Sequence, residues 1–178
     1  MSDGDERTNA GIGADTGDSL SHIEAGPDGA RARMVDVGAK PATERRARAQ
    51  ATVEFPAGLL ETILAGGGPK GPIEEVARVA GVLAAKRTGD LIPMCHPLGL
   101  DVVDVRFERS GPDTLRVVCE AGCTGPTGVE MEAMVGASVA ALTVYDMTKG
   151  ASKAIRLGAV ELLEKSGGKS GHWVRDGA

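Results

Sequence analysis

Asp146 and Lys149 stand three residues apart, the spacing that sets two side chains on one face of a helix. Near a substrate, a carboxylate beside an ammonium holds the lysine in place and tunes it for proton transfer. On an open surface the same pair is an ion pair of little energetic weight. At the start of the same stretch, Glu130 and Glu132 occupy a first helical turn, where acids favour the macrodipole. Their two-residue offset points them in different directions, so one of them at most faces a site reached by Asp146, and the other is available to a neighbouring subunit. His96, between Cys95 and Pro97 and shortly after Lys86 and Arg87, is either a hydrogen-bond donor to phosphate or a structural loop residue. The cysteines Cys95, Cys119 and Cys123 lack the spacing of metal ligands, so no metal is expected. Cations gather at Lys40, Arg45, Arg46 and Arg48, at Lys70, Lys86 and Arg87, and at Lys149, Lys153, Lys165 and Lys169. The run Lys165 to Gly171 has the Gly/Ser/Lys composition of a phosphate loop but neither the full Walker spacing nor a following helix. It reads as a flexible basic tail, or as a source of N–H groups and ammoniums for a polyphosphate.

These residues need elements to hold them. Gly128 to Lys149 reads as one helix whose middle is small, with Gly136, Ala137, Ser138, Ala140 and Ala141, a surface for a closely approaching partner helix. Ile73, Val76, Ala80 and Leu83 recur at three- and four-residue spacing, which predicts an amphipathic helix over Pro72 to Lys86. After Pro97 the period becomes two. Val103, Val105 and Phe107 alternate with charged residues, as do Leu115, Val117 and Cys119 with Arg116, Val118 and Glu120, and Ser110 to Asp113 supplies the hairpin turn. Short strands are predicted at Met34 to Val37 and Val53 to Phe55, a basic helix capped by Thr43 over Glu44 to Gln50, a turn over Gly26 to Gly29, a short helix from Pro56 to Gly66–Gly68, and a strand from Ile155 to Leu163. A hairpin mixed with long helices points to an α+β sandwich, an antiparallel sheet with helices on one face.

Composition bounds the rest. The 178 residues suit one domain, with residues 1–19 expected as a disordered leader, 20–171 as the α+β domain and 172–178 as a C-terminal tail. A net charge of −5 provides no global field for a polyanion, and one Trp, one Tyr and two Phe leave little for base stacking, so no nucleic-acid partner is expected. No apolar run approaches the roughly 20 residues of a membrane span, and no membrane partner is expected. An odd number of cysteines without a secretory h-region fits a reducing cytoplasm.

Several segments, taken in order, carry a resemblance. Met34 to Lys40, Lys86-Arg87-Thr88-Gly89-Asp90-Leu91-Ile92-Pro93-Met94-Cys95-His96-Pro97-Leu98, Thr127-Gly128-Val129-Glu130-Met131-Glu132-Ala133, Tyr145-Asp146-Met147 and Lys165 to Gly171 closely resemble the cyclic pyranopterin monophosphate synthase family of molybdenum cofactor biosynthesis. The resemblance implies a ferredoxin-like α+β fold, a homohexamer built as a trimer of dimers with active sites at subunit interfaces, and no cofactor. It implies a cofactor-independent lyase acting on a cyclic dihydro-GTP, whose purine-derived ring is opened and rearranged while a cyclic phosphate forms and diphosphate leaves. By position, Asp146 and Lys149 would be the acid–base pair with Lys70 as a second essential lysine. His96 with Arg45 would grip the triphosphate, flanked by Met94 and Cys95, while Glu130, Met131 and Glu132 would recognise the heterocycle and Lys165 would reach in from the tail. Pro41, Pro126 and Thr148 depart from the family pattern without removing any of these residues. The alternative class is a regulator that binds a guanine nucleotide without turning it over, and such a protein has no need of the Asp146/Lys149 pair.

Overall fold

The stretch Thr43–Glu54 places Ala47, Ala49, Ala51 and Val53 at every second position, each buried, with Arg46, Arg48, Gln50 and Thr52 pointing the other way. That period belongs to a strand covered on one face. It is the central strand β3 of the computed structural model, which describes residues 23–26, 29–66 and 70–177. The expected basic helix over Glu44 to Gln50 is therefore corrected, and Thr43 caps no helix. Alanine and arginine favour helices in isolation, and burial of one alanine face overrides that preference here.

The described residues up to Val35 and those from Asp36 onward form separate compact units. In the first, β1 (Ile23–Gly26) pairs antiparallel with β2 (Gly29–Ala32), Gly26 opposite Gly29. Pro27 and Asp28 of the expected turn, and the expected leader, lie outside the described residues. Met34 to Val37 form no strand. The Gly38 N–H instead donates to the Asp36 carboxylate at 2.8 Å, and the Lys40 N–H to the Val37 carbonyl at 3.0 Å, two local turns that compete with extension.

In the second unit, α1 (Leu59–Gly66), α2 (Ile73–Ala85) and the short α3 (Thr88–Leu91) precede the hairpin of β4 (Val102–Gly111) and β5 (Thr114–Gly125). Then come α4 (Glu130–Thr148), β6 (Arg156–Ser166) and β7 (Trp173–Val174). The five strands lie in the order β4-β5-β3-β6-β7, every neighbour antiparallel. The helices cover one face, giving the α+β, ferredoxin-like arrangement. The hairpin has the expected alternation and turn. β6 runs three residues beyond the expected strand and takes in Lys165, which thus belongs to the sheet and not to a flexible tail. Two residues of the expected tail form β7.

α2 and α4 pack together where Gly81 meets Gly136. A Cβ at Gly81 would lie 2.9 Å from the Gly136 carbonyl oxygen, and one at Gly136 would lie 2.6 Å from Cys119 Sγ. Both glycines are needed for this approach. Gly136, Ala137, Ala140 and Ala141 are buried against α2 and the sheet, so the backbone that the small residues admit is the chain's own and not that of a partner helix. The same crossing corrects the face of α2: Ile73, Ala77, Gly81 and Ala84 are buried, while Val76 and Leu83 are exposed.

Register slips by one between Arg48↔Glu164 and Ala49↔Leu162, leaving Leu163 as a bulge in β6. Regular alternation from Leu162, which shares the helix-covered face with Ala49, would turn Lys165 to the open face. The bulge reverses the phase, and Lys165 lies opposite Ala47 on the helix-covered face.

Candidate functional site

The C-terminal turn of α4 is set by burial. Met147 and Thr148 point inward, the Thr148 hydroxyl donating to the Val144 carbonyl at 2.7 Å, so Asp146 and Lys149 are left outside. Lys149 Nζ lies 2.6 Å from Asp146 Oδ1. Lys70, just before α2, donates from Nζ to Asp146 Oδ2 at 2.9 Å and to the Asp146 carbonyl at 3.2 Å. One carboxylate thus bridges two ammoniums, one of them on Lys70, 76 residues before Asp146 in sequence. They line a cleft of about 390 Å³ with Tyr145, Met147, Gly150 and Lys153. The Lys149 and Lys70 ammoniums hold the Asp146 carboxyl down to about 2, and Asp146 in turn raises Lys149 above its ordinary value. At neutral pH Asp146 is ionised and Lys149 protonated, which makes the resting pair a proton donor and an electrostatic clamp before it is a base.

The expected site residues at the other end of α4 form a second group. Glu130 folds back over Gly128, where a Cβ would push its carboxylate aside, and pairs with Lys165 Nζ at 2.9 Å. Glu132 is only 4% exposed, and burial raises its carboxyl, with Glu130 adding to the rise. Met131 is exposed. Met94, Cys95 and His96 are half-buried in the loop after α3, which is anchored by the Ile92 N–H to the Thr88 carbonyl at 2.9 Å and by backbone contact of Gly89 with Pro97. The loop reaches the same end of α4: burial first, then the charge of Glu132, raises the Cys95 thiol. Arg45, on the helix-covered face of β3, donates from Nε to the Gly125 carbonyl at 3.2 Å and from Nη2 to the Pro126 carbonyl at 3.3 Å. Pro126, where the family pattern departs, thus serves through its backbone.

The expected residues therefore fall into two groups, Lys70/Asp146/Lys149 and Arg45/Glu130/Glu132/Lys165 with the Met94–His96 loop. Glu130 and Asp146 are 16 residues apart on one helix, which at 1.5 Å per residue separates the groups by roughly 24 Å. Tyr145 and Lys153 join the cleft without having been singled out for it. Lys153 had been counted among the late cations, and only the fold brings it round to Lys70.

Fold and cleft together define a class: an α+β protein with one carboxylate held between two ammoniums in an open cleft, beside a further cation. A family model described as the MoaC family matches residues 34–168. The chain is 49% identical over 154 residues to a protein of Novosphingobium aromaticivorans named cyclic pyranopterin monophosphate synthase, covering 86% of this chain and 96% of that one. It is 47% identical over 160 residues to a protein of the same name from Chloroflexus aggregans, covering 89% and 95%. The chain belongs to the MoaC family.

Proposed function

We propose that this chain is a cyclic pyranopterin monophosphate synthase, a lyase of molybdenum cofactor biosynthesis. It converts (8S)-3',8-cyclo-7,8-dihydroguanosine 5'-triphosphate to cyclic pyranopterin monophosphate and diphosphate. The observation that carries this reading is the Asp146 carboxylate held between Lys149 and Lys70 at 2.6 and 2.9 Å in an open cleft. Closing a cyclic phosphate expels diphosphate, and a protonated lysine both donates to the departing oxygen and offsets its charge. Ring opening and reclosure use the same donors, with Asp146 keeping Lys149 charged and oriented.

The rest of the site follows from size. A gap of roughly 24 Å along α4 exceeds what a single nucleotide bridges, so the Glu130 group of one copy acts with the Asp146 group of another. Glu130, Met131 and Glu132 read the heterocycle, and Arg45, His96 and Lys165 hold the triphosphate, with Met94 and Cys95 shaping the loop. A homohexamer, a trimer of dimers, provides such shared sites, and the enzyme works without a cofactor in the cytoplasm. The catalytic unit is the one that begins at Asp36 and carries the five-stranded sheet with its helices.

The test is direct: purified protein given enzymatically made cyclic dihydro-GTP yields a product that oxidises to a fluorescent pterin, and Lys149→Ala abolishes the yield while nucleotide binding persists. Absence of product from the unaltered protein sinks the proposal.

A further inference from the structure

β7 pairs with β6 at Glu164↔Val174 and Lys165↔Trp173, beside the bulge at Leu163. Opposite β3 the ladder is interrupted at the bulge, and the Leu163 carbonyl is met from the other side. The Arg175 N–H donates to the Leu163 carbonyl at 2.8 Å, and Arg175 Nε to the Leu162 carbonyl at 2.7 Å. Since hydrogen-bonded pairs alternate along an antiparallel ladder, Lys165 and Trp173 form the next bonded pair after Leu163 and Arg175. On the open face His172 Nε2 lies 2.8 Å from Glu164, which also pairs with Arg48 at 3.2 Å. The chain reverses between the strands through Gly167 at φ 97° and Gly168 at φ 71°, Gly167 against the Glu44 carbonyl and Gly168 against the Arg45 guanidinium.

We infer that residues 167–175 are a strap that positions Lys165, with Arg175 as the residue that locks the bulge. This rests on the reading of Lys165 as a phosphate contact. Without β7, residues 162–166 are an edge strand interrupted on its paired side, free to lose the bulge and turn Lys165 to the open face. With β7 in place, the ammonium is held beside Glu130, and an arriving polyphosphate displaces the glutamate from a lysine already in position. The strap acts on binding of the charged part of the substrate and not on the proton transfers at Asp146.

Trp173→Pro removes the N–H that pairs with Lys165 while leaving the rest of the chain unaltered. Steady-state kinetics on cyclic dihydro-GTP are expected to show KM raised about ten-fold, the worth of one misplaced charge-assisted contact, with kcat and its pH profile unchanged. Lys165→Met raises KM similarly, and the double variant is no worse than Lys165→Met alone, because both changes remove one contact. Trp173→Phe, which keeps the backbone pairing, behaves like the unaltered protein. Should Trp173→Pro fail to fold, Arg175→Ala is read in the same way. An unchanged KM in the strap variants while Lys165→Met raises it overturns the strap and leaves the site reading standing, as do multiplied effects in the double variant. An unchanged KM in Lys165→Met overturns the strap together with the role given to Lys165.

Discussion

Two inactive variants should restore activity when they share an oligomer. Glu130→Ala removes the group at the start of α4 and Asp146→Asn the one at its end, and each protein alone is expected to be inactive. Because α4 is a continuous helix with 16 residues between them, the two groups stay roughly 24 Å apart in any one copy. In the proposed oligomer a working site then takes its Glu130 half from one copy and its Asp146 half from another. If the variants are unfolded together in equal amounts and refolded, a site has an intact Glu130 half in half of all cases and an intact Asp146 half in half of all cases. About one quarter of sites are therefore whole, and activity should return to about 25% of the unaltered protein. The assay is pterin fluorescence after oxidation, with each variant refolded alone as the control. A mixture that exchanges subunits, shown by mass spectrometry of differently tagged copies, yet stays inactive would refute the shared site.

Two further predictions follow from the packing and the charges. Asp146→Asn should lower turnover by about 10²–10⁴-fold. It should also remove a stability contribution that is present above the ordinary carboxyl value of 3.8 and lost as pH falls through about 2. Thermal melts of the two proteins should thus differ at neutral pH, converge in acid, and differ less at high salt, since the pair is half-exposed. Gly136→Ala should cost about 1 kcal/mol, overpacking of about 1–3 kcal/mol set against about 0.5–1 kcal/mol of helix preference, and lower Tm by about 2–4 °C. Cys119→Ala in the same chain removes the Sγ that the new Cβ would meet at 2.6 Å, so the double variant should recover most of the loss, whereas simple additivity would show that the crossing is looser than described.

The elements that were legible are those whose local pattern and tertiary role agree. The hairpin alternates cleanly because one face is buried, α2 is long enough for its period to show, and α4 is marked by its small residues between charged ends. β3 misled because its buried face is alanine, which reads as helix until the alternation at 47, 49, 51 and 53 is seen to be burial. The face of α2 was mistaken because the closest contact is made by a glycine, which carries no hydrophobic signal. The small residues of α4 announced a close approach but not whose backbone approaches. Of the site, Asp146 and Lys149 could be paired by helical spacing alone, whereas Lys70 arrives from 76 residues away and only the fold or the family resemblance joins it to them. The bulge at Leu163, which decides where Lys165 points, leaves no mark in a single sequence.

The strand β7 has a use for whoever studies this protein in solution. Trp173 is the one tryptophan of the chain, and it stands in the strap, 41% exposed, with the Arg175 guanidinium 5.9 Å from its ring. Emission excited at the red edge of indole absorption therefore reports on the carboxyl-terminal edge of the sheet and on nothing else. A denaturation curve followed by that emission can fall before one followed by far-ultraviolet dichroism without any intermediate in the core, because detachment of a two-residue strand already moves the indole. Titrating a substrate analogue against the same signal turns the molecule into its own gauge of whether the edge tightens as the site fills.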